Sequence, residues 1–244
     1  MSSFDLTRDY ASVRPGEDSS AERMRSRTIG YIEANLWPYL SQKPKSISIL
    51  EIGPGTGVLA DWLRSRGFDN YTCVEACESY ADDLIRRRFK CIFGHDLVAL
   101  KRDALKGRSF DFIIYMDVLE HIERDAVYPT LEVSLNFLNF CGEIFIQVPN
   151  VSGLFGMNTQ FSDFTHRSAF NENTLTGLLQ GVGFMNVRAS QVLLPKSYGN
   201  WVRERMRSLV FKLVRFCMKI VGATPIRVLS HLMIVTAQKE RSPN

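Results

Sequence analysis

The sequence predicts an α/β domain doubly wound around a mostly parallel sheet, and three observations predict it. Strand-like and helix-like segments alternate from Ser46 to Pro149, and a glycine-rich turn, "EIGPGTG", joins the first strand to its helix. An apolar share of 45% in 244 residues is enough for one main domain with a buried sheet.

The elements follow in order. Residues 1–45 form a polar segment and then a helix, from Ala21 to Leu40 and ending near Pro38; residues 46–244 form the main domain. "SISIL" opens the first strand, and "VLADWLRSRG" has helical spacing with Gly67 as its stop. The alternation then repeats: strand "NYTCVEA", helix "SYADDLIRRRF", strand "KCIFG", a short helix near "LVALKRDAL", and strand "FDFIIYM". A helical stretch from Val118 to Phe140 and strand "GEIFIQVP" complete five strand–helix units. Asn150 to Arg167 reads as a loop, Asn171 to Gln180 as a helix, and "MNVRASQVLL" and "LSHLMIVTAQK" as the last two strands.

Composition narrows the function classes. The five cysteines are odd in number and lie mostly in strand-like or helical segments, which suits core residues of a reducing compartment and not a disulfide framework or a zinc module. The polar N-terminus lacks the apolar run of a secretion signal, so a cytoplasmic protein beginning near Met1 is expected, and no charge-free run is long enough for a membrane span. The net charge of +4 is concentrated: residues 198–222 carry six Lys/Arg and one Glu, which leaves the remaining chain at −1. A chain basic in one segment only is not coated for nucleic acid.

Glycines at positions 53, 55 and 57 permit positive φ and bring the backbone close to a ligand at the carboxyl end of the sheet. Glu75, at the end of the second strand, is placed to accept from both ribose hydroxyls of a nucleoside; Asp96, after the third, is placed to accept from an adenine amino group. The third glycine comes one place too early for a dinucleotide fingerprint. Glu51, ahead of the turn, repels a pyrophosphate and attracts an ammonium group. A nucleoside with an amino-acid tail, S-adenosylmethionine, meets all of these conditions.

"ILEIGPGTG", "CVEA", "GHD", "FDFIIYMDVLEHI" and "GEIFIQVPN" together resemble successive motifs of class I S-adenosylmethionine-dependent methyltransferases, particularly the branch similar to ubiquinone-biosynthesis O-methyltransferases. The resemblance implies a Rossmann-like seven-stranded sheet whose antiparallel last strand is inserted beside the fifth. It carries cofactor roles to Glu51, Gly53, Gly55, Gly57, Glu75 and Asp96, with Leu97 and Asp117 as further cofactor contacts.

Transfer to a hydroxyl also requires a proton to leave. If a helix begins at Asp117, then Asp117, Glu120 and His121 share one face, and Asp163 and His166 of "SDFTHR" lie in a loop that hangs over the same end of the sheet. An N-cap aspartate followed by a solvated Glu-His pair is the bland alternative. The set resembles the metal site of small-RNA 2′-O-methyltransferases. That resemblance implies Asp117, Glu120, His121 and His166 around Mg²⁺ or Mn²⁺; without a metal, His121 or His166 serves as general base, with Glu120 and Asp163 beside them.

Between the last two strands, about 196–225 form a helical insertion. Glu204, Ser208, Lys212, Arg215 and Lys219 make a polar stripe on an otherwise apolar helix, which fits an anionic membrane surface, or equally a lid or a homodimer contact. The "D-x-T-H…F" loop and this insertion look similar to methyltransferases of bacterial surface-polysaccharide assembly. The expected acceptor is therefore a sugar hydroxyl, free or lipid-linked, with a polyprenylated phenol or quinone precursor second and RNA third. A cofactor-binding module without catalysis is the non-enzymatic alternative.

Overall fold

The computed structural model describes residues 21–94, 97–102 and 104–240. Seven strands form one sheet in the order β3-β2-β1-β4-β5-β7-β6, with β1 Ile49–Ile52, β2 Tyr71–Glu75, β3 Lys90–Phe93, β4 Phe110–Met116, β5 Leu138–Pro149, β6 Met185–Gln191 and β7 Leu232–Gln238. The first five run parallel, and β7 is antiparallel to both β5 and β6. The doubly wound fold with its inserted antiparallel last strand is thus the one expected.

The helices are α1 Ala21–Asn35, α2 Trp37–Leu40, α3 Val58–Ser65, α4 Glu78–Arg86, α5 Leu97–Arg102, α6 Arg124–Phe137, α7 Gly156–Phe161, α8 Glu172–Val182 and α9 Tyr198–Ile220. β1, β2 and the C-terminal half of β5 are buried on both faces, so their sequences read as largely apolar runs and not as alternations. Leu50, Ile52, Ile113 and Ile146 point into one core layer, and Ile49, Cys73, Phe112 and Phe145 into the other. This alternation puts successive β1 residues on opposite faces and decides what each carboxylate there meets.

Three boundaries depart from the sequence expectation. The expected helix from Ala21 to Leu40 divides at Leu36, because Pro38 fits only the first turn of a new helix, α2. The expected helix from Val118 to Phe140 is a 3-10 turn at Leu119–His121 followed by α6, and β5 begins four residues early, at Leu138. Helical spacing in "LNFC" misleads because Cys141 takes a positive φ of 61°, an irregularity that lets the strand start ahead of Gly142. The loop expected from Asn150 to Arg167 contains the short helix α7.

Candidate active site

The carboxyl ends of β1, β2, β4 and β5 converge where a doubly wound sheet binds its ligand. Gly53, Gly55 and Gly57 have φ of 66°, 52° and 74°, a left-handed run that only glycine adopts at low cost. Two of them are also hemmed in: a Cβ at Gly53 would come within 2.7 Å of Val118, and one at Gly57 within 2.6 Å of Leu84. A Cβ at Gly55 would meet nothing within 4 Å, so the open side of the cradle faces the cleft. Arg87 clamps the turn from behind, donating to the Thr56 carbonyl at 2.9 Å while paired with Asp61 at 2.7 Å.

Glu75 closes the cradle. Its carboxylate accepts from the amides of Gly55 at 2.9 Å and Cys77 at 2.8 Å, which fixes it at the strand end. Burial raises its pKa, and these backbone hydrogen bonds oppose the rise. Leu97 opens α5 with its side chain buried in the same core layer as Ile52 and Val74, so a ligand would meet its backbone. Asp96, the expected adenine acceptor, lies outside the described residues.

Glu51 sits differently from the expected open carboxylate ahead of the turn. It is 3% exposed and accepts a hydrogen bond from the Tyr71 hydroxyl. Burial pushes its pKa up to about 8, which the Tyr71 hydrogen bond only partly offsets, so at neutral pH it is mostly protonated. Its first structural partner is Tyr71, and the attraction expected for an ammonium is correspondingly weakened.

The second group of residues lies after β4 and β5. Asp117 has a φ of 55°, which starts the chain in the left-handed region and prevents a helix from beginning there. The expected shared face of Asp117, Glu120 and His121 is therefore corrected: Asp117 is exposed and its carboxylate accepts from Gln147 Nε2 at 3.0 and 3.1 Å. Glu120, His121 and His166 do come together, with one ligand atom from each within 4.8 Å of the others. The imidazole centroids of His121 and His166 are 4.8 Å apart at 67°, although 45 residues separate them.

Backbone hydrogen bonds hold this approach. The Arg167 and Ser168 amides donate to the Glu120 carbonyl at 2.8 and 2.9 Å, and Ser168 Oγ donates to the Ile122 carbonyl at 2.7 Å. The hydrogen-bond chain also assigns the tautomers. Thr165 Oγ1 donates to Asp163 Oδ1 at 2.6 Å and so receives the His121 Nδ1 proton at 2.8 Å; His166 Nδ1 donates to the Gln160 carbonyl at 2.7 Å. Both rings then carry their lone pair on Nε2, and His166 Nε2 stands 4.0 Å from Glu120 Oε1.

Glu120 is 1% exposed, and among the described residues its Oε2 has no hydrogen-bond partner. Burial, followed by the charge of Asp117, raises its pKa well above the usual carboxylate range. Burial also opposes the ionisation of Asp163, but hydrogen bonds from the Thr165 hydroxyl and amide, and the positive charge of His121 and His166 when either is protonated, outweigh it and hold that pKa low. Asp163 thus orients His121 through Thr165 and does not join the three-residue group itself. Thr165, Gln160 and Gln147 were not anticipated from sequence; the D-x-T spacing at Asp163, a side chain accepting from the amide two residues on, is the signal that points to Thr165.

A buried acid with an orphaned oxygen and two Nε2 lone pairs fits a divalent ion. The open side of Gly55 beside the fixed Glu75 fits a nucleoside with an amino-acid tail.

Residues 22–189 match the model of a methyltransferase domain family, well over half of the chain. A comparison with curated proteins finds no match. Among solved structures the chain is similar to a SAM-dependent methyltransferase from Archaeoglobus fulgidus, with 19% identity and a TM-score of 0.63 over 89% of this chain and 94% of that one. It is also similar to the phosphoethanolamine N-methyltransferase 2 of Haemonchus contortus in complex with S-adenosyl-L-methionine, with 13% identity and a TM-score of 0.59 over 98% of this chain and 61% of that one. A putative O-methyltransferase from Nostoc punctiforme shares 11% identity and a TM-score of 0.56 over 90% of this chain and 58% of that one. At these identities the structures establish the fold and leave the acceptor atom open. With the cradle, the strand-end acid and the matched domain together, the chain belongs to the methyltransferase domain family, as a class I S-adenosylmethionine-dependent methyltransferase.

Proposed function

We propose that the protein is an O-methyltransferase whose acceptor is a hydroxyl of a sugar, in a surface polysaccharide or a lipid-linked glycan. The observation that carries O-methylation is the Glu120–His121–His166 group at the carboxyl end of the sheet. A neutral hydroxyl must lose a proton as it attacks, and this group supplies either a base or a set of metal ligands for that step.

When bound, S-adenosylmethionine supplies a methyl group on a positively charged sulfur. An imidazole Nε2, of His121 or of His166, would accept the proton that the acceptor hydroxyl must lose. His121 is held for this by Thr165 and Asp163, and His166 by the Gln160 carbonyl. Glu120, His121 and His166 are the residues that would hold Mg²⁺ or Mn²⁺, whose charge lowers the pKa of a hydroxyl. Asp117 stands outside that set.

Exposed rings favour a sugar. Phe155, Phe161 and Phe164, each at least 76% exposed, lie on the segment that carries Asp163 and His166, and aromatic faces suit the C–H faces of a sugar ring. The same rings suit the chain of a polyprenylated phenol or quinone precursor, which is the second reading.

Transfer of a labelled methyl group to lipid-linked, polysaccharide, small-molecule and RNA fractions of a cell extract tests the proposal. Label is expected in the glycan fractions and is expected to fall about 100-fold or more in His121→Ala and His166→Ala, with cofactor binding retained. Label confined to RNA or to small amines refutes the proposed acceptor. Activity that survives exhaustive chelation and gains nothing from Mg²⁺ or Mn²⁺ refutes the metal and leaves the histidine base.

A further inference from the structure

α9 docks on the domain by its polar side and turns its apolar side outward. Glu204 accepts from the Leu194 amide at 2.7 Å and pairs with Arg207 at 2.7 Å, and Arg207 donates to the Val192 carbonyl at 2.8 Å. One turn on, Phe211 is buried, and Arg215 donates to the carbonyls of Ile226 at 3.0 Å and Arg227 at 2.5 Å. On the opposite side Val202, Met206, Leu209, Leu213, Phe216 and Ile220 are 41–68% exposed. Their alternating spacing of four and three places them in one line along the helix, about 27 Å long from Val202 to Ile220 at about 1.5 Å per residue. An apolar stripe of this length facing solvent is too extended to be incidental.

The flanking charges select what covers it. The exposed charged residues of α9 are Arg203, Arg205, Lys212 and Lys219, all cationic; Glu204, the one acid of the helix, is already engaged by Arg207 and Leu194. Arg205, Lys212 and Lys219 recur every seven residues along one edge of the stripe, and Arg205 lies 4.5 Å over the ring of Trp201. The four-three spacing also suits pairing with a second copy of the helix. A two-fold pair, however, brings this cationic edge against itself or leaves it unmatched, whereas an anionic surface neutralises it along its whole length.

The topology fixes where this surface lies. β7 is antiparallel to both β5 and β6, so β6 runs in the direction of β5 and ends at the same edge of the sheet as β1, β2 and β4. α9 follows that end of β6 and β7 starts there, with Leu232 opposite Pro149 and Met233 opposite Gln191. The insertion therefore emerges at the end of the sheet where the cradle and the histidine pair lie, and it falls beyond residues 22–189 of the matched domain. No helix among the described residues is long and apolar enough to cross a membrane.

We infer that α9 is a membrane-docking helix. It lies in the plane of an anionic phospholipid surface with the Val202–Ile220 stripe among the acyl chains and Arg205, Lys212 and Lys219 at the headgroups, which brings the active-site end of the sheet to the lipid. The inference does not depend on the acceptor being a glycan.

Flotation of the full chain with vesicles tests it, using phosphatidylcholine alone and phosphatidylcholine mixed with phosphatidylglycerol. The protein is expected to float with the mixed vesicles and not with the neutral ones, and to be released as salt rises. Leu209→Glu with Leu213→Glu is expected to abolish flotation. The triple variant Arg205→Gln, Lys212→Gln and Lys219→Gln changes only exposed side chains, keeps the fold, and is expected to weaken binding to mixed vesicles about 100-fold. S-adenosylmethionine binding is expected to be unchanged in both variants. Failure of the wild-type chain to float with mixed vesicles overturns the inference, as does equal flotation with neutral ones. A solution dimer that Leu209→Glu with Leu213→Glu dissociates, without vesicle binding, assigns the stripe to a second copy and overturns it as well.

Discussion

Glu51→Gln changes one buried atom, and its effect can be worked out from the position of the side chain. In the unfolded chain the carboxyl ionises near 4.5; in the folded chain burial moves this to about 8. The folded value is the higher one, so the folded state holds the proton more tightly. Stability is fully present below the unfolded value, falls as pH rises between the two, and is level above the folded value. At pH 7 the unfolded acid is ionised across about 2.5 units of pH, a cost of about 3 kcal/mol relative to acid conditions. Glutamine has the same shape, accepts from the Tyr71 hydroxyl, and does not titrate. Its extra N–H can cost about 1–3 kcal/mol if unpaired, but that cost is constant with pH. The assay is urea unfolding of both proteins at intervals between pH 5 and pH 8, taking the difference at each pH so that all other titrations cancel. Wild type is expected to lose about 3 kcal/mol relative to Glu51→Gln across this range. A difference that stays constant within about 0.5 kcal/mol would refute the buried, proton-holding Glu51.

Three further outcomes concern the site itself. Glu75→Gln keeps the size of the side chain but removes the charge that accepts from Gly55 and Cys77, and is expected to weaken S-adenosylmethionine binding about 10- to 100-fold by calorimetry, with little loss of fold. Gly55→Ala places a methyl group in the open side of the cradle at a φ of 52°; stability is expected to fall by about 1 kcal/mol while cofactor affinity falls considerably further. Thr165→Val breaks the link between His121 and Asp163 without changing shape, so kcat is expected to drop about 10-fold at unchanged cofactor affinity, with recovery in Thr165→Ser. Equal loss in the valine and serine variants would show that the hydroxyl is not what positions His121.

Legibility differs from one residue to the next for physical reasons. The span of β4, Phe110–Met116, is readable because its apolar run is bounded by polar residues and a glycine-containing turn. The turn at Gly53–Gly57 is readable because positive φ is a local demand that glycine alone meets cheaply. Asp117 is not readable in the same way: its φ of 55° is imposed from β5, where Gln147 holds both its carboxylate and its amide. A periodicity argument sees the helical spacing after Asp117 and misses the strand that prevents the helix. Glu51 shows the same limit, since a carboxylate beside a ligand turn reads as ionised until Tyr71 and the surrounding burial are known.

The sequence by itself determined the doubly wound sheet and the cofactor cradle, because both rest on short-range properties: hydrophobic period, strand and helix length, and the conformational freedom of glycine. The tertiary structure decided the rest. It brought His121 to His166, used Thr165 and the Gln160 carbonyl to assign their tautomers, and left Asp117 outside the group. It also decided which side of α9 faces the domain, since the polar residues Glu204 and Arg215 find carbonyl and amide partners there and leave the apolar stripe to the outside. Contacts between residues far apart in the chain fix these features, and no local pattern encodes them.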